Sequence, residues 1–66
     1  MKNRLKVARA ERDLTQDQLA KAIGVSRQTI NAIEAGRYVP STVLALKMAQ
    51  LFQKPVEEIF LLEEED

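Results

Sequence analysis

The 66-residue, 7.5 kDa chain suits one small domain, and its ten Lys and Arg balance ten Asp and Glu to zero net charge. With neither Cys nor His, it has no disulfide, no ordinary zinc ligand set and no Ser-His or Cys-His nucleophile pair. Its longest apolar runs, Val43–Leu46 and Ile59–Leu62, hold four residues each, against about 18 for a bilayer span, so a cytoplasmic domain without signal peptide or membrane segment is expected.

Five helical stretches are predicted, which makes the fold class all-α. The first, Lys2–Arg12, is short and weakly periodic through Leu5, Ala8 and Arg12. The second, Gln16–Ile23, opens with Thr15 as N-cap and Gln18 three residues on. That is a capping box, and Leu14 and Leu19 are spaced to staple across it. The third, Arg27–Ala35, repeats the device with Ser26 as cap and Val25 and Ile30 as staple; Gly36 stands where a helix end favours a left-handed residue.

The fourth helix, Thr42–Phe52, follows Pro40-Ser41. Its Ala45, Met48, Ala49 and Phe52 fit the i, i+3, i+4, i+7 pattern of one buried stripe. The fifth, Pro55–Phe60, has Pro first and Glu57 and Glu58 in the opening turn, where the helix dipole favours them. Residues 1–62 form the expected domain, and 63–66 form an acidic tail.

The zero net charge conceals two halves. Residues 1–37 hold eight cations and four anions, whereas 38–66 hold two cations and six anions. A basic half beside an acidic half suggests that one face meets a polyanion, although two ordinary solvated faces would give the same count.

The segment 16–35 concentrates the signal. Two helices of about eight residues flank Gly24-Val25-Ser26, a helix-turn-helix spacing in which Gly24 supplies the backbone freedom of a tight turn. With Ile30 and Ile33 facing inward, Gln28, Asn31, Ala32 and Ala35 face outward, flanked by Arg27 and Thr29. Solvated helix faces are usually rich in Glu and Lys, and this one carries amides and alanines. Gln and Asn pair with adenine in the major groove, Arg pairs with guanine, and Ala meets a thymine methyl. The competing reading is an ordinary polar surface helix.

The run from Thr15-Gln16 through Gly24-Val25-Ser26-Arg27-Gln28-Thr29-Ile30 to Glu34-Ala35-Gly36-Arg37 resembles the Xre/Cro-type, lambda-repressor-like helix-turn-helix family. Pro40-Ser41, Met48-Ala49 and Lys54–Phe60 extend the similarity, which covers residues 3–60 or thereabouts. The resemblance implies a five-helix DNA-binding domain, usually a dimeric transcriptional regulator of repressor type on a palindromic operator. It further implies that Gln16 contacts a phosphate, that Arg27, Gln28 and Asn31 read base edges, and that Ser26, Thr29, Arg37 and Tyr38 hold the DNA backbone. Arg9 would pair with Glu34 in a structural salt bridge rather than touch DNA. Ala32 and Ala35 depart from the polar residues often found at such positions, which narrows base readout.

A single module this small reads a short site, and a two-fold dimer doubles it, with half-sites about 34 Å apart. Leu44 and Leu51 lie outside the assigned stripe, and Ile59, Phe60, Leu61 and Leu62 offer more apolar surface than a terminal segment needs. These six residues are the expected dimer contacts, with residues 60–63 pairing as a short antiparallel strand between copies. The alternative is that Leu61 and Leu62 fold back on the chain's own core.

Other classes fare less well. An enzyme is disfavoured because the adjacent Glu57 and Glu58 do not face one another on a helix and no phosphate-cradling glycine loop is present. An antitoxin would usually carry a longer partner-binding segment, and a general chromosomal binder would be strongly basic. The expected partner is double-stranded DNA, with no cofactor and no metal.

Overall fold

A computed structural model describes residues 1–66. It consists of β1 (Lys2–Asn3), α1 (Leu5–Glu11), α2 (Gln16–Ile23), α3 (Arg27–Glu34), α4 (Thr42–Phe52), a single 3₁₀ turn at Val56–Glu58, and β2 (Phe60–Leu61). The chain therefore has four α-helices and a two-stranded sheet, not five helices.

Both corrections lie at the ends of the chain and share one cause. β1 and β2 pair antiparallel, with Lys2 opposite Leu61 and Asn3 opposite Phe60, and the Arg4 amide adds a bond to the Ile59 carbonyl at 2.7 Å. The expected first helix starts three residues late because residues 2–3 spend their backbone groups on that ladder. The expected fifth helix closes only i→i+3 bonds, from the Glu58 amide to Pro55 and from the Ile59 amide to Val56, both at 3.0 Å. A longer helix would carry Phe60 past its strand partner. The terminal strand thus pairs with its own chain's N-terminus.

The central helices follow their local signals. Thr15 Oγ1 accepts from the Gln18 amide at 3.0 Å and Gln18 Oε1 accepts from the Thr15 amide at 2.9 Å, completing the capping box. Ser26 Oγ accepts from the Thr29 amide at 3.1 Å and Ser41 Oγ from the Leu44 amide at 3.2 Å. Each such cap contributes about 1 kcal/mol.

All four helices stop in the same way. A left-handed residue at Asp13, Gly24, Gly36 or Gln53, with φ of 54°, 78°, 77° and 54°, turns the chain away. The next amide then reaches five residues back: Leu14 to Arg9, Val25 to Ala20, Arg37 to Ala32 and Lys54 to Ala49, at 2.9–3.1 Å. This closure satisfies carbonyls that the helix end would leave unpaired.

The core draws on all four helices and on the C-terminal strand with the residue before it: Leu5 and Ala8, Leu19, Ala20 and Ile23, Ile30 and Ile33, Leu44, Met48 and Phe52, then Ile59 and Phe60. No polar or charged residue is buried in it. On α4 the buried stripe is Leu44, Met48 and Phe52, while Ala45 and Ala49 are only half-buried beside it. The larger side chains at i, i+4 and i+8 win the interior because burying leucine or phenylalanine removes far more apolar area from water than burying alanine.

Candidate nucleic-acid interface

The helix-turn-helix unit is α2 and α3, joined at Gly24 and closed by the Val25-to-Ala20 bond. Ile30 and Ile33 are fully buried, so α3 can rotate little about its axis and its opposite face is fixed outward. Arg27, Gln28, Asn31 and Ala35 are exposed there, whereas Thr29 and Ala32 are half-buried flanks.

Arg27, Gln28, Asn31 and Arg37 together line a shallow depression on this face with no apolar and no acidic residue. Arg37 enters it because Gly36 (φ 77°) reverses the chain beyond α3. Its Nη2 donates to Asn31 Oδ1 at 3.3 Å. Neither Arg27 nor Arg37 takes part in any of the chain's ion pairs. Two uncompensated guanidinium groups beside two carboxamides make a donor-rich, cationic surface suited to an anionic polymer with acceptor edges.

Gln16 lies at the start of α2 and borders a second depression with Arg9, Thr15, Asp17 and Arg27. Its Nε2 donates to Glu34 Oε1 at 3.1 Å, which leaves one amide N–H and the amide oxygen free. Glu34 is the hub of this corner. Arg9 donates to it through Nε at 2.8 Å and Nη2 at 3.3 Å, and its Nη1 reaches the Leu14 carbonyl at 2.8 Å. The group ties α1, the α1–α2 turn, α2 and α3 together. The Arg9 guanidinium is engaged within the protein and is no free cation for a ligand.

The remaining expected contacts divide. Tyr38 is exposed in the loop after α3. The Ser26 and Thr29 hydroxyls face each other at 2.9 Å and Ser26 also caps α3. Their first task is therefore within the chain, and either can offer a remaining lone pair or hydrogen outward.

The expected dimer contacts need correction. Ile59 is 0% exposed, and Phe60 and Leu44 are also buried in this chain's own core. Ile59 cannot contact a partner without unfolding the chain, and Leu44 and Phe60 offer little surface to one. Leu51 and Leu61 are half-buried, and only Leu62, at 83%, stands clear. Side chains left out of the reckoning are exposed instead: Val39, Val43 at 64% and Leu46 at 56%. The signal was present in Val43 and Leu46, on the face of α4 opposite the buried stripe, and became legible only once that stripe's centre was known.

The acidic tail folds back rather than trailing into solvent. The Met1 amine meets Glu63 Oε1 at 3.0 Å and Asp66 Oδ1 at 3.1 Å, and Asp66 Oδ2 accepts from the Glu63 amide at 2.8 Å. Bonds to Glu63 and then Asp66 raise the amine pKa above its ordinary value. The Glu63 amide, then the amine, lower the Asp66 pKa. No helix is long and apolar enough to cross a membrane.

Comparison with known proteins agrees with this architecture. The family model described as Helix-turn-helix matches residues 5–59. An HTH-type transcriptional regulator of Methanocaldococcus jannaschii is 54% identical over 66 residues, all of both chains. The CTXphi transcriptional repressor RstR of Vibrio cholerae is 33% identical over 57 residues, covering 86% of this chain and 51% of the repressor. Among solved structures, the restriction-modification controller protein C.AhdI from Aeromonas hydrophila superposes with a TM-score of 0.77 at 32% identity, covering 86% of each chain. A helix-turn-helix unit of matching extent and relatives of full length and the same type leave one assignment: the chain belongs to the Xre and lambda-repressor-like family of DNA-binding, helix-turn-helix transcriptional regulators.

Proposed function

We propose that this regulator is a sequence-specific repressor that binds a palindromic duplex operator as a homodimer, with α3 in the major groove. The observation that carries the reading is the exposed face of α3, where Gln28, Asn31 and Arg27 lie beside Arg37 with no carboxylate among them. Such a face suits base edges, and the small Ala35 allows the helix to approach them closely. Arg27, Gln28 and Asn31 are the base readers. Gln16, Ser26, Thr29, Arg37 and Tyr38 hold phosphates, which supply affinity without sequence preference and make binding fall steeply with salt.

The second subunit docks on the apolar surface of Val39, Val43, Leu46 and Leu62. Leu46 and Leu62 border a groove with Ala45 and Phe60 at its base. The acidic half of the sequence adjoins this side, so a pair of subunits turns its basic α3 faces toward DNA and its anionic surface away. Repression follows by occlusion, since a bound dimer bars other proteins from the same stretch of duplex. The RstR likeness supports that sign of regulation.

The test is duplex binding by anisotropy across a salt series, with a selected site and a scrambled one. Gln28→Ala should narrow the difference between them by about tenfold, while retaining the salt slope. Equal affinity of the wild type for both duplexes refutes the sequence-specific reading.

A further inference from the structure

The pairing of Arg37 with Asn31 bears on which base the protein reads, and it rests on the proposed DNA function. A guanidinium carries donors only. The carboxamide atom it meets at 3.3 Å is accordingly Oδ1, and the Nδ2 amide nitrogen of exposed Asn31 makes no hydrogen bond within the chain. Arg37 is held in reach by the turn beyond α3, where its own amide bonds the Ala32 carbonyl at 2.9 Å and Gly36 takes φ 77°. No carboxylate lines the depression to draw the guanidinium elsewhere. Glu34, the nearby acid on α3, is already held by Arg9 and Gln16.

An asparagine that reads adenine uses both halves of its amide: the oxygen accepts from N6 and the nitrogen donates to N7. Here one of the oxygen's two lone pairs is taken by a guanidinium, so the adenine N6 amine, itself a partly positive donor, would have to bind the other beside that cation. Guanine offers N7 and O6, both acceptors. It matches the free Nδ2 together with an Arg37 N–H.

We propose that Asn31 and Arg37 act as one guanine-reading pair, with Arg37 a positioning and specificity residue rather than a phosphate clamp alone. Arg27, Arg37 and the Asn31 amide N–H then present donors, and Gln28 is the reader whose carboxamide oxygen carries no guanidinium.

The test is selection from a randomised duplex pool with the wild type, Arg37→Ala, Asn31→Ala and the double variant. Arg37 is exposed, so its replacement leaves the core intact. The wild type should enrich guanine at one position of each half-site. Arg37→Ala should shift that position alone by about tenfold toward adenine, because the freed Oδ1 now accepts from N6. Asn31→Ala should lose the preference there, and the double variant should match it. If Arg37→Ala weakens all sites alike with guanine still preferred, the pairing does not govern readout and the inference falls. A wild type that enriches no sequence overturns the DNA reading beneath it.

Discussion

The side-chain amide of Asn3 donates to the Ile33 carbonyl at 2.8 Å, and its oxygen accepts from the Leu5 amide at 3.2 Å. One residue of β1 thus fastens the last turn of α3 and the first turn of α1. Asn3→Ala should lower stability by about 1–2 kcal/mol, because a part-buried carbonyl and amide lose their partner. Asn3→Asp should cost at least as much, since a carboxylate cannot donate to Ile33. Urea unfolding at matched m-values checks both, and an unchanged midpoint would show the bond to be incidental.

The Arg9–Glu34 pair lends itself to a double-mutant cycle. Arg9→Met leaves Glu34 facing the interior with only Gln16, and Glu34→Leu strands the guanidinium. Each should cost about 3 kcal/mol, the low end for a buried pair broken on one side, because Arg9 keeps some contact with solvent. The double replacement should recover more than half of the summed loss. Simple additivity would mean that the two side chains act independently.

The helix ends give opposite expectations for glycine. Gly24 takes φ 78°, and an added Cβ there would meet no atom within 4 Å. Gly24→Ala should therefore cost only the left-handed backbone penalty, about 1–2 kcal/mol. Gln53 holds φ 54° with a side chain in place, so Gln53→Gly should raise stability by up to about 1 kcal/mol. Thermal melts decide, and a fall in Tm for Gln53→Gly would mean that its side chain contributes more than its backbone costs.

For the proposed dimer, Leu46→Glu and Leu62→Glu should yield folded monomers by light scattering, with little change in far-ultraviolet dichroism. Ile59→Glu should instead unfold the chain, because it places a charge in the core. The melting temperature of the wild type should rise with protein concentration, as linkage requires. Wild type that stays monomeric at high micromolar concentration removes the dimer.

The terminal latch sets a pH window. The Met1 amine has a raised pKa in the folded chain, so its contribution is complete below the ordinary value of about 8 and fades as pH climbs through the folded one. Asp66 has a lowered pKa, so its contribution is complete above about 3.8 and is lost as pH falls through the folded value. Stability should be flat between those limits. Asp66→Asn should flatten part of the loss on both sides, and a wild-type and variant difference that ignores pH would exclude the latch.

The helix-turn-helix unit was readable because its cues are local. Thr15 and Gln18, Ser26 and Thr29, Gly24 and Gly36 lie within a few residues of the groups they satisfy. The outward face of α3 followed from the spacing of Ile30 and Ile33. The left-handed ends at Asp13 and Gln53 escaped notice because neither is glycine, and nothing in the neighbouring letters demands that conformation.

Residue types and short spacings were enough to dictate α2, the turn, α3 and the donor-rich surface they display. Whether Ile59 and Phe60 would be core or contact, which edge of α4 faced inward, and how Asn31 is oriented by Arg37 awaited the folded chain. Those outcomes depend on partners 6 to 57 positions away, such as Asn3 opposite Phe60 or Asn31 beside Arg37. A strand of two residues has no periodicity to betray it, and a helix with apolar residues on several sides buries whichever stripe the rest of the domain leaves room for.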